Sequence, residues 1–123
     1  MALRRTFLAA TLALFFGALG GLGACASPTL PLPPPSTPEL APEANGDWKL
    51  SSKRGVEGHA IVVIFNRNPN LPNADRVDGT QADADGNWEE IIKAAPGDVI
   101  DVTQEFGSTR SAPTTFRIPK PSP

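Results

Sequence analysis

The sequence predicts an all-β fold, a small β-sandwich, and three observations carry that prediction. The run Ala60-Ile61-Val62-Val63-Ile64-Phe65 is apolar and rich in β-branched residues, and Gly58 and Asn66 bound it. A continuous run of that length between turn residues reads as a buried strand. Residues 99–106 alternate, with Ile100, Val102 and Phe106 on one side and Asp101, Thr103 and Glu105 on the other, so one face is dry and the other wet. Thr114, Phe116 and Ile118 likewise oppose Thr115 and Arg117, which gives a short last strand.

The chain divides into four stretches of different composition: 1–24, 25–46, 47–118 and 119–123. Its 123 residues allow one domain. In the first stretch Arg4 and Arg5 precede Phe7, Leu8, Leu12, Leu14, Phe15 and Phe16, and glycines gather toward Gly23. A basic start, an apolar centre and a small-residue end make a signal peptide. The alternative, an uncleaved membrane helix, is disfavoured because Gly17, Gly20 and Gly21 interrupt the apolar run before the ~20 residues that span a bilayer.

Leu22-Gly23-Ala24-Cys25 resembles the lipobox of bacterial lipoproteins. The resemblance implies cleavage between Ala24 and Cys25, and acyl chains, palmitate among them, on Cys25. The protein would then be lipid-anchored in the cell envelope, with the membrane as its first partner. Ala26 and Ser27 follow, and the lack of Asp there is similar to lipoproteins sorted to the outer membrane. Leu3-Arg4-Arg5-Thr6-Phe7-Leu8 also resembles a twin-arginine export signal, although paired arginines occur in ordinary signal peptides. Cys25 is the single cysteine, so an exported domain has no internal disulfide and depends on its core.

Stretch 25–46 holds Pro28, Pro31, Pro33, Pro34, Pro35, Pro38 and Pro42 and reads as a tether. Extended at ~3.1 Å per residue, it reaches about 65 Å from the bilayer. A Pro-rich ligand for a groove in another protein is the alternative, and the spacer reading is simpler.

Within 47–118, weaker strands are expected around Trp48 to Ser51 and Arg76 to Ala82. Residues 87–95 are ambiguous. Trp88, Ile91, Ile92 and Ala95 stand at helical spacing, but Asp85-Gly86-Asn87 is a good hairpin turn and Pro96-Gly97 a stop. A strand is favoured. The series Gln81-Ala82-Asp83-Ala84-Asp85-Gly86-Asn87-Trp88, Ala94-Ala95-Pro96-Gly97-Asp98 and Ser111-Ala112-Pro113 resembles bacterial immunoglobulin-like domains. Such a fold is implied from about residue 55 to 118, and the chain departs from the pattern at Ile91-Ile92-Lys93 and in the long loop 68–73.

Catalysis is not expected. His59 is the only histidine, and a nucleophile needs both a base and an orienting group. Glu89 and Glu90 point to opposite faces of a strand, so they cannot act together. Asp83, Asp85 and Asn87 stand at alternate positions, but the helix-loop-helix calcium pattern fails at Trp88 and Ala94. A looser calcium site survives only as a minor alternative, and no metal or cofactor is expected. From Cys25 onward 9 Lys and Arg stand against 13 Asp and Glu, a formal charge of −4, which disfavours nucleic acid.

Two functional classes remain. The first is a non-catalytic binding module for a protein or glycan, formed by the loops 68–73 and 106–113, taken to share one end of the sandwich, with Trp48, Phe106 and Arg110 as candidate anchors. The second is a structural subunit of an envelope assembly that pairs through edge strands.

Overall fold

The computed structural model describes residues 31–121. The stretch 1–24, read as a signal peptide and ending in Ala24, and Cys25 lie outside the described residues. Eight strands form two antiparallel sheets: β1 (Glu39–Pro42), β2 (Asp47–Ser52), β3 (Ile61–Asn66), β4 (Val77–Gln81), β5 (Trp88–Lys93), β6 (Val99–Phe106), β7 (Thr109–Arg110) and β8 (Thr114–Arg117). The smaller sheet runs β1-β2-β5. The larger runs β4-β3-β6, with both β7 and β8 on the far side of β6. This is an all-β sandwich.

Period-two alternation sets the core. Leu50 and Ile92 from the smaller sheet, with Trp88, meet Val62, Ile64, Ile100 and Val102 from the larger, because alternate side chains on each strand share one face. Leu40, Trp48 and Phe116 pack against this cluster, and Ile118 closes it. A fully buried aliphatic side chain contributes about 1.5–3 kcal/mol. Truncating Leu50 to Ala would therefore cost about 2–5 kcal/mol, since a cavity remains as well.

Residues 88–93 form a strand, as favoured from the turn chemistry. The turn before it, however, is no hairpin. β4 pairs with β3, whereas β5 pairs with β2, so Asp85-Gly86-Asn87 carries the chain from one sheet to the other. Asp83 builds the crossing: its Oδ1 accepts the backbone N–H groups of Asp85 and Asn87, both at 2.9 Å, and its Oδ2 accepts from Asn87 Nδ2 at 3.0 Å. Gly86 has φ +84° and faces the Val56 carbonyl so closely that a Cβ would fall 2.1 Å from the oxygen. Only glycine fits both conditions.

The tether reading of 25–46 needs correction over the described residues. Glu39–Pro42 forms β1, paired with β2 in the register Leu40↔Leu50 and Pro42↔Trp48. Upstream, Pro35 and Pro38 are buried, Pro33 O accepts from Gln104 Nε2 at 2.8 Å, and Thr114 Oγ1 donates to Pro35 O. Proline lacks an N–H, so it suits an edge strand as well as a spacer. Composition alone does not separate the two.

Phe106 also departs from expectation. The inward side of β6 is filled by Ile100, Val102 and Gln104, while Phe106 is 47% exposed. It stands at the end of the strand, opposite Thr109 in the tight β6–β7 hairpin, beyond the reach of the facing sheet. The dry position that alternation offers next to Val102 is taken by a polar side chain.

Candidate functional site

The three candidate anchors are not brought together. Trp48 pairs with Ile92 near the end of the sandwich marked by Asn66 and Lys93. Phe106 and Arg110 sit at the opposite end, where Ile61 pairs with Glu105. Trp48 is half-buried against the core, and Arg110 lies beside Glu105 with Nε–Oε1 3.4 Å. Because Phe106 and Arg110 belong to alternate positions of the hairpin, their side chains leave opposite faces.

The two loops expected at one end likewise occupy opposite ends, since the first follows β3 and the second follows the antiparallel β6. Their chemistry differs too. In the 68–73 loop the polar groups are spent internally: Asn66 Oδ1 accepts from Asn68 N, and Asn68 Oδ1 accepts from Asn70 N. The Asp98 carboxylate takes Asn66 Nδ2, Asn68 Nδ2 and Ala95 N. The guanidinium of Arg76, at the end of a single helical turn α1 (Asn73–Arg76), donates to the carbonyls of Leu71 and Pro69. Such a loop is a braced scaffold with few free donors.

The surface that does stand out was hidden inside the apolar run 60–65. Val62 and Ile64 point into the core, whereas Ile61 and Phe65 are exposed and Val63 is half-buried on the outer face. Val77 of β4 pairs with Phe65 and is exposed beside it. Gly79 lies opposite Val63 and adds no polar side chain to interrupt the stripe. The run is therefore apolar on both faces, with only one face covered by the protein's own core.

Charges frame the stripe on its β6 side. Arg67 makes a two-pronged contact with Asp101, Nε–Oδ2 2.7 Å and an Nη2 donor to Oδ1 at 2.9 Å. Thr115 Oγ1 adds a third hydrogen bond to that carboxylate. These bonds, Arg67 foremost, hold the Asp101 carboxyl below the usual carboxylate range. In both rim pairs the cation faces outward: the Arg67 side chain is 53% exposed against 15% for Asp101, and Arg110 is 61% exposed against 40% for Glu105. The stripe thus has a guanidinium rim.

Sheet edges are guarded. Pro38 and Pro42 bracket β1, and Pro113 and Pro119 bracket β8, which limits strand addition there. On the other side the edges of β4 and β5 lie against each other, with Asp78 half-buried between them. Burial first, and then Glu90 and Asp75, raise the Asp78 carboxyl above its ordinary range. Among the described residues no group of three or more acidic, histidine or cysteine side chains is arranged to hold a metal, and Asp83 has its carboxylate occupied by its own turn. His59 is exposed, at φ 63°. No described helix is long and apolar enough to cross a membrane.

Sequence offered one signal for the stripe: six consecutive apolar residues exceed what a one-sided strand needs. Comparison of the chain with protein-family models, with curated proteins and with solved structures finds no match.

Proposed function

We propose that the chain is an envelope lipoprotein, held to a membrane by acyl chains on Cys25, whose sandwich is a non-catalytic module that docks another protein on the outer face of its larger sheet. The uncovered stripe of Ile61, Val63, Phe65 and Val77 carries this reading. Contiguous apolar surface on a soluble domain marks interaction sites, whereas scattered single residues do not. The outward guanidiniums of Arg67 and Arg110 select the partner's chemistry: an apolar ridge bordered by carboxylates. A second copy of the same face carries the same outward cations, and its Asp101 and Glu105 are already paired with them, so the occupant proposed is a different protein. Growth through edge strands, the structural-subunit alternative, is opposed by the prolines beside β1 and β8.

Because Gln104 holds Pro33, only the eight residues 25–32 are left as a leash, about 25 Å if extended at ~3.1 Å each. The partner would then be met close to the bilayer. Two acyl chains make such an anchor durable, so detergent rather than salt should release the protein, and Cys25→Ser should release it without detergent.

The test places a photo-crosslinking residue at Val77, or at Ile91 on the outer face of the smaller sheet, in the full-length chain in its native envelope. The expected result is one discrete adduct from position 77 alone, abolished by Phe65→Glu and weakened by salt. Equal adducts from both positions, an adduct indifferent to Phe65→Glu, or an adduct of two copies of this chain would overturn the proposal.

A further inference from the structure

The two lateral sides of the sandwich are fastened differently. On one side neutral hydrogen bonds join the segment before β1 to the larger sheet, from Gln104 Nε2 to Pro33 O and from Thr114 Oγ1 to Pro35 O. On the other side the terminal strands β4 and β5 are neighbours in space without a backbone ladder between them, since β4 pairs with β3 and β5 with β2. Strand parity decides what fills that seam. Asp78 stands opposite Ile64 and Glu90 opposite Leu50, and both of those partners are core residues. Asp78 and Glu90 therefore take the inward faces of the two edge strands, where both are half-buried. Among the described residues the hydrogen bonds that tie this side lie at its ends: Asn66 Nδ2 donates to Lys93 O at 3.2 Å at one, and the Asp83 turn closes the other.

We propose that Asp78 and Glu90 form a proton-operated latch on this side of the sandwich: a proton on Asp78 keeps β4 in place, and its loss lets β4, with α1, open ahead of the rest of the fold. Two ionised carboxylates on the inward faces of a partly dry seam repel each other more than they would in water. The other groups on the elements packed against β4 do not offset this. β3 carries no titratable side chain. On β5, Glu89 faces outward to Lys49 with Nζ–Oε2 3.3 Å, and the exposed Lys93 directs its ammonium to Asp75 of α1 at 3.7 Å. Arg76 of α1 commits its guanidinium to the carbonyls of Leu71 and Pro69. Burial, then Glu90 and Asp75, raise the Asp78 carboxyl against the opposing pull of Lys93, as this arrangement requires. The closed seam thus keeps its proton to a higher pH than the opened one, so closure strengthens as pH falls through the raised value and levels off in the ordinary aspartate range. β4 is the strand that yields because it is five residues long and paired on one side only, and such elements open at lower cost than central strands. The latch goes beyond the docking reading and needs no partner, so the two can fail separately.

The test is amide hydrogen exchange on the full-length chain in detergent micelles, at neutral pH and at the ordinary aspartate value of about 4, with each rate divided by that of an unstructured peptide at the same pH. At neutral pH the β4 amides bonded to β3 should be less protected than the amides of β6, and at the lower pH they should gain protection at least threefold. Asp78→Asn, which keeps the volume, should raise β4 protection at least threefold at neutral pH and remove its pH response. Glu90→Gln should also raise β4 protection at neutral pH, an effect that burial of Asp78 by itself does not produce. β4 amides as protected as those of β6 at neutral pH, a pH response that survives Asp78→Asn, or parental β4 protection in Glu90→Gln would overturn the proposal.

Discussion

Gln104 ties together three parts of the chain that are far apart in sequence, and removing its carboxamide should loosen all three. It is 1% exposed on the inward side of β6. Its Oε1 accepts from Glu57 N and its Nε2 donates to Pro33 O, both at 2.8 Å. Gln104→Leu keeps most of the volume and deletes both bonds. An orphaned buried partner costs about 1–3 kcal/mol. Glu57 and Pro33 are exposed residues beside a shallow cleft of about 310 Å³, so water can reach their backbone and the lower end applies. The expected loss is about 2 kcal/mol in total. For a domain of this size that lowers Tm by roughly 8–16 °C. Circular dichroism on heating reads the shift, and hydrogen exchange should show the Glu57 amide losing protection together with residues near Pro33. Gln104→Glu sharpens the test. At neutral pH its carboxylate would face the Pro33 carbonyl without a donor, raising its folded pKa. Stability should therefore return as pH falls and the protonated acid donates again. A Tm within about 2 °C of the parent, with the Glu57 amide still protected, would refute the role assigned to this side chain.

Gly86→Ala should destabilise by more than about 1 kcal/mol, because alanine pays for positive φ and its Cβ meets the Val56 carbonyl; chemical denaturation measures it, and an unchanged midpoint would count against the crossing turn as drawn. Asp78→Asn should stabilise at neutral pH. Burial raises the Asp78 pKa, so its ionised form weakens the fold above that raised value, and the advantage of Asn should vanish as pH falls through it toward the ordinary aspartate range. Asp101→Asn should do the reverse. Its folded pKa is lowered, chiefly by Arg67, so its contribution is present above the ordinary aspartate value and is lost as pH falls through the lowered one. At neutral pH the substitution should cost about 1 kcal/mol, and in strong acid the two proteins should melt alike; a constant difference across pH would exclude the ion pair as its source.

Most strands could be read locally. Residues 99–106 and 114–117 carry a period of two that no helix would tolerate, and they form β6 and β8. Helical spacing at Trp88, Ile91 and Ile92 was a coincidence of a strand with one exposed apolar residue, Ile91, on its wet face. The candidate anchors do not converge, for a reason that lies outside local reading. Residue type singled out Trp48, Phe106 and Arg110, but convergence depends on which strand ends coincide, and antiparallel order put Trp48 at one end and the other two at the opposite end.

By itself, then, the sequence determined the local terms: strands at the alternating and β-branched segments, a sharp turn at Asp85-Gly86-Asn87, and the absence of any disulfide among its residues. These follow from side-chain parity, backbone preference and cysteine number, all properties of neighbours in the chain. Only the tertiary structure decided that the Pro-rich segment joins the smaller sheet, that the 85–87 turn crosses between sheets, and that the run 61–65 leaves one apolar face open. It also decided that Gln104 spends its carboxamide on Pro33, 71 positions away. Alternation states which side chains share a face but carries no information about what will lie opposite that face. The opposite surface is assembled from distant segments, and so the burial of Gln104 and the exposure of Phe65 become fixed only when the sheets meet.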